Sequence, residues 1–169
     1  MKLTRIARGW LTAYRECRHS GDIPSALHQL EAPRRAGDLL AEVEFALLGR
    51  DAGLTHDEVG AIVDRVHECA PGDDPDLHFA LYRAYERLLG LCEPEQMYVR
   101  AFAHLVLAAT HSDNPMDAFA VALNFENGRV AVAKDYAKAL EWYRCAERLG
   151  HPDAAGAIQR LQRKRLKPI

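Results

Sequence analysis

Serine is scarce in this chain: Ser20, Ser25 and Ser112 are the only three among 169 residues, and none stands in a G-x-S-x-G elbow. Serine-based hydrolysis therefore has no candidate centre. A glycine-rich phosphate loop is also missing. His67-Glu68 opens an H-E-x-x-H pattern, but Pro71 stands where the second histidine belongs and breaks the helix that such a site needs. The four cysteines, Cys17, Cys69, Cys92 and Cys145, include no C-x-x-C pair. Their spread argues against a disulfide framework and for buried free thiols in a reducing compartment. An excess of one charge is lacking too. Twenty-four acidic against 22 basic residues leave a net charge of −2, so nothing suggests a broad nucleic-acid or membrane-surface partner. No apolar run approaches the ~18 residues that span a bilayer, and Met1 to Arg8 carries no signal-peptide core. The expectation is a soluble bacterial cytoplasmic protein with no cofactor and no metal.

Apolar residues make up 49% and charged residues 27%, ordinary for a globular domain of this size. What organises them is recurrence. A small residue followed by an apolar one returns at Gly9-Trp10, Ala46-Leu47, Ala80-Leu81, Ala120-Val121 and Gly156-Ala157, at intervals of 34 to 40 residues. Phe45, Phe79 and Phe119 precede three of these pairs, and Tyr14, Tyr85 and Phe125 follow three of them by four residues. Ala80, Leu81, Ala84, Tyr85 and Leu88 occupy one face of a 3.6-residue period. Small residues on such a face let helices approach closely. Gly21, Gly53, Gly90 and Gly128 mark helix ends. Thr55-His56-Asp57-Glu58 spells a capping box, and Asp74-Pro75, Asn114-Pro115 and His151-Pro152 spell helix starts. Nothing alternates like a strand. An all-α fold of about four antiparallel helix pairs plus a terminal helix from about Pro152 to Arg165 is expected, in approximate units 3–37, 38–73, 74–113, 114–150 and a cap 151–169 of one domain.

The best-defined unit runs from Asp117 to Ala154. It contains Glu126-Asn127-Gly128, Asp135-Tyr136, Lys138-Ala139, Trp142-Tyr143, Ala146 and Gly150-His151-Pro152-Asp153-Ala154. In these positions it resembles a Sel-1-like repeat, a relative of the tetratricopeptide repeat. Upstream units depart from that pattern: His104 takes the Trp142 position in the third pair and Gln29 in the first. The resemblance implies a right-handed superhelical solenoid whose concave face is lined by the first helix of each pair. Glu44, Leu48, Tyr82, Glu86 and Asn124 would then project toward a partner. Family members are usually adaptors or scaffolds, and several bacterial ones act in secretion, in virulence or as immunity partners of toxins. A compact, closed array is implied rather than a long open one.

Two further groupings compete with that reading. Cys17-Arg18-His19 and His67-Glu68-Cys69 carry ligand types for zinc, although the pairs sit about fifty residues apart while a site needs three or four converging donors. A small His/Cys metal-binding regulator or enzyme is the alternative, and a self-assembling structural unit a third option. Asp73, Asp74 and Asp76 read as caps at a helix N-terminus rather than as a cation site. Arg160, Arg163, Lys164, Arg165 and Lys167 read as the wet face of a capping helix. The favoured function is a non-catalytic module that binds a protein partner by shape and charge, an adaptor or toxin-neutralising immunity protein, itself a monomer or weak homo-oligomer.

Overall fold

The computed structural model describes residues 8–88, 94–129 and 132–165. Gly90, Cys92, Lys167 and the residues before Arg8 lie outside them. The described residues form nine α-helices: α1 (Gly9–Ser20), α2 (Ile23–Arg35), α3 (Leu39–Leu48), α4 (His56–Cys69), α5 (Pro75–Leu88), α6 (Pro94–His111), α7 (Pro115–Asn127), α8 (Tyr136–Arg148) and α9 (Ala154–Arg165), with a 3-10 turn at Gly49–Ala52. The only strand-like contact among them is an isolated bridge between Arg129 and Val132. No described helix is long and apolar enough to cross a membrane.

Local chemistry sets most of these boundaries. Thr55 and Glu58 make the reciprocal capping box at the start of α4, with the Thr55 N–H donating to Glu58 at 2.8 Å. Asn114 caps α7 ahead of Pro115, and Asp74 accepts from the Leu77 N–H ahead of Pro75. The last start falls later than expected, at Ala154. Pro152 and Asp153 form a turn instead, and the His151 ring accepts from the Asp153 N–H at 3.2 Å. Gly128 closes α7 at φ 69°, ψ 144°, a conformation open mainly to glycine. A side chain there would also meet the Lys134 backbone nitrogen at 3.5 Å. Gly128→Val is therefore expected to cost about 1–3 kcal/mol through backbone strain, measured as a shift in the urea midpoint at unchanged helix content.

Consecutive helices pack as pairs, α1 on α2, α3 on α4, α5 on α6 and α7 on α8, and α9 lies on α8. Between pairs, α2 meets α3, α3 meets α5, and α6 meets α7. The face expected of α5 is the face buried: Ala80, Leu81, Ala84, Tyr85 and Leu88 all lie in a core that extends from Leu11 to Ala101. The last pair and α9 share a smaller core around Leu140, Tyr143 and Leu161. Trp142 is only half-buried, although it borders three of the four apolar clusters. Trp142→Ala should accordingly cost less than the ~3–5 kcal/mol of a fully buried ring, as read by urea titration.

One ion cluster ties the first three pairs together. Arg8 donates to Asp38 at 3.0 Å and, through both terminal nitrogens, to Asp74 at 2.6 and 3.2 Å. Asp38 and Asp74 are the caps of α3 and α5. A single guanidinium thus links two helix starts that also attract the carboxylates through their macrodipoles.

Candidate functional site

Helix α5 is the centre of the most chemically varied surface. With its apolar stripe buried, the helix presents Phe79, Tyr82, Arg83 and Glu86 on the opposite side, at the i, i+3, i+4, i+7 spacing of one face. All four are half-buried.

On one flank stand arginines. Arg83 on α5 and Arg18 on α1 both reach Glu44 of α3, at 3.4 and 3.0 Å. Glu44 is only 4% exposed and also accepts from the Tyr14 hydroxyl at 2.8 Å. Arg15 reaches Asp76 at 3.0 Å, and Arg87 donates to the Leu47 carbonyl near the end of α3. Burial, with repulsion from Arg18 and Arg15, lowers the pKa of Arg83 against the attraction of Glu44. The phenol of Tyr14 is pushed up by burial and then by the Glu44 charge.

On the other flank, Tyr82, Glu86, Tyr98, Phe102, Asn124, Arg129 and Val132 line a shallow pocket between α5, α6 and the end of α7. Glu86 and Arg129 face each other at 3.5 Å across it. Burial raises the Tyr82 hydroxyl pKa, and Glu86 adds to the shift.

Of the five residues expected at a binding face, three meet here: Tyr82, Glu86 and Asn124. The other two do not. Glu44 lies beneath the arginines and Leu48 is in the core at 3% exposure, because α3 is apolar nearly all round and is covered on several sides. Neither side chain projects to a partner. The arginines around them were missed by the sequence argument, though Arg83 and Arg87 share the i, i+4 spacing with Tyr82 and Glu86.

The expected ligand types do not converge. His67 turns away from the first pair and faces His104 instead, Nδ1 to Nε2 at 2.8 Å, while the other His104 nitrogen faces His78 Nδ1 at 2.9 Å. Three rings from α4, α6 and α5 so form a chain, with Tyr85 stacked on the middle one at 5.8 Å. His104 is buried, and its pKa is pushed down to about 3, first by burial and then by His78, His67 and Arg100. Since His104 presents a different nitrogen to each neighbour, the three rings do not point at one ion. Among the described residues no group of three or more His, Cys, Asp or Glu is arranged to hold a metal. Cys17 and Cys145 are half-buried thiols, but Cys69, expected inside, is exposed at the end of α4.

A second buried carboxylate repeats the Glu44 pattern. Glu126 accepts from the Tyr143 hydroxyl at 2.7 Å and from Arg160 and Lys164 at 2.7 and 3.0 Å. Burial alone would raise its pKa, yet these donors hold it down to about 2. Two of the basic residues of the terminal helix are thus engaged within the chain. No known family model matches the chain, and neither curated proteins nor solved structures include a match to it.

Proposed function

We propose that the chain is a non-catalytic interaction module of the Sel-1-like, tetratricopeptide-related type, a superhelical array of helix pairs that binds one protein partner. The observation that carries this reading is the outer face of α5, where Tyr82, Arg83 and Glu86 are half-buried and flanked by neighbouring helices, with Phe79 and Tyr82 also packing against the α6–α7 apolar cluster. Aromatics and arginines are the residue types that dominate interface energetics. The sequential packing of the pairs is what a repeat array requires. Within this class the narrower reading is a bacterial cytoplasmic adaptor or an immunity protein that occludes a toxin, working by shape and charge alone.

The test is differential capture from native lysate with the wild-type chain and with Tyr82→Ala, whose side chain is half-buried and lines the pocket. A protein retained by the wild type and lost by a variant of unchanged circular dichroism supports the reading. Identical captures from both chains, or none from either, count against it.

A further inference from the structure

We infer that the α5 face takes an acidic peptide segment carrying one aromatic or long aliphatic anchor, the acids lying on the arginine flank and the anchor lying flat over the shallow Tyr82–Tyr98–Phe102 depression. This deepens the interaction reading and rests on it.

Charge is the first ground. Three guanidinium groups, from Arg15, Arg18 and Arg83, are held by two carboxylates, Asp76 and Glu44, and a fourth, Arg87, stands one turn beyond Arg83 on α5 and donates to the Leu47 carbonyl. Glu44 lies beneath Arg18 and Arg83 at 4% exposure, so it neutralises them from the inner side and leaves their outer edges toward solvent. Arg15 is 52% exposed and Arg87 is exposed as well. Guanidinium forks match carboxylates in pairs, which favours Asp and Glu side chains over a diffuse anion.

Geometry is the second ground. Tyr82 and Glu86 form one row along α5, Arg83 and Arg87 the adjacent row. Beyond these rows the arginine flank extends to Arg15 and Arg18 of α1 and the pocket to Tyr98 and Phe102 of α6, so with α5 between them the outer parts of the two flanks are about one helix width apart, ~10 Å. An extended peptide rising ~3.3 Å per residue crosses that distance in about three residues. The pocket side is balanced by the Glu86–Arg129 pair and walled by Tyr82, Tyr98 and Phe102; its enclosed space holds no more than about one water, so an apolar side chain would lie across its rim rather than inside it. Acid and anchor are thus placed at a fixed spacing, which gives the surface selectivity beyond net charge.

A random-peptide phage library selected on the immobilised full-length chain tests this, with winners synthesised and titrated by fluorescence anisotropy. Winners rich in Asp and Glu, with an aromatic, Leu or Met about three residues from the acids, are expected. Their affinity should fall with salt, as exposed charge pairs are screened. It should drop about tenfold or more with Arg15→Glu, recover only in part with Arg15→Lys, which keeps the charge but not the fork, and drop with Tyr82→Ala. Arg15 is used because Arg18 and Arg83 hold Glu44 and their loss would disturb the fold. Neutral or basic winners that are lost with Tyr82→Ala overturn the acidic-segment proposal and leave the interaction reading standing. The same follows from acidic winners indifferent to Arg15→Glu, or from a single-stranded oligonucleotide of equal charge that competes as well as the peptide. If no winner responds to Tyr82→Ala or Arg15→Glu, both readings fall.

Discussion

Glu44→Ala is expected to lower the unfolding free energy by about 3–5 kcal/mol, the cost of leaving buried charges without their partner. The carboxylate holds together groups from three helices: the Tyr14 hydroxyl and Arg18 of α1, and Arg83 of α5, all around α3. Removing it leaves a fully buried phenol with only the long 3.4 Å bond to the backbone carbonyl of residue 44 and brings two half-buried guanidinium groups into repulsion. Glu44→Gln keeps an oxygen for Tyr14 but removes the charge, so its loss should be smaller. Urea titration of the three chains gives the order wild type, Gln, Ala. A loss below about 1 kcal/mol for Ala would mean that water reaches the cluster and that the arginines relax into it. The consequence for function is direct. Under the proposed interaction reading, a Glu44 substitution would weaken a partner through the fold, whereas Tyr82 and Arg15 would act at the surface.

That contrast shows where sequence reasoning carries and where it stops. The inward face of α5 was legible because its apolar residues are spaced for one side of a helix, and periodicity is a local property. The capping box at Thr55 was legible for the same reason, since every atom involved lies within four residues. Glu44 was not. Helix α3 is apolar in Leu39, Leu40, Ala41, Val43, Phe45, Ala46, Leu47 and Leu48, so its pattern does not distinguish an inner from an outer side. A neglected signal was present: a helix apolar all round is buried, and a glutamate inside it must find distant partners. Those partners lie 30 and 39 residues away and carry no spacing rule. The same limit hid the histidine chain. Cys69 stands two residues from His67 in sequence, while the neighbour of His67 in space, His104, lies 37 residues away on α6. In the expected repeat alignment His104 corresponds to Trp142 of the last pair. Where that unit puts a half-buried indole against apolar clusters, the third pair buries an imidazole, which must be hydrogen-bonded and thereby draws His67 and His78 together.

The histidine chain is expected to make stability fall in acid well above the range where carboxylates act. An unfolded chain takes up a proton on His104 near pH ~6.5, whereas the folded protein resists until about pH 3. Between those values the unfolded state binds more protons, so stability declines as pH falls. For His104 alone the expected loss is about 2 kcal/mol between pH 7 and pH 5 and about 3 kcal/mol by pH 4. His78 adds to it in the same direction, since burial lowers its pKa against the opposing pull of Asp74 and of the Gly72 and Pro71 carbonyls. The surroundings do little to relieve the charge. Asp64 of α4 is exposed and already bound by Arg100 and the Tyr85 hydroxyl, and His111 repels His78. Glu126, held at about 2, loses its contribution only as pH falls below its unfolded range near ~4.5. The interval from pH 5 to 7 therefore isolates the imidazoles. His104→Leu removes the middle ring: at pH 7 it should be less stable by about 1–3 kcal/mol, because His78 loses a buried partner. It should also be less sensitive to acid, so that urea midpoints of the two chains converge toward pH 5. Parallel curves would mean that His104 titrates in the folded protein as it does in the unfolded chain, and that the three rings are not closed to water.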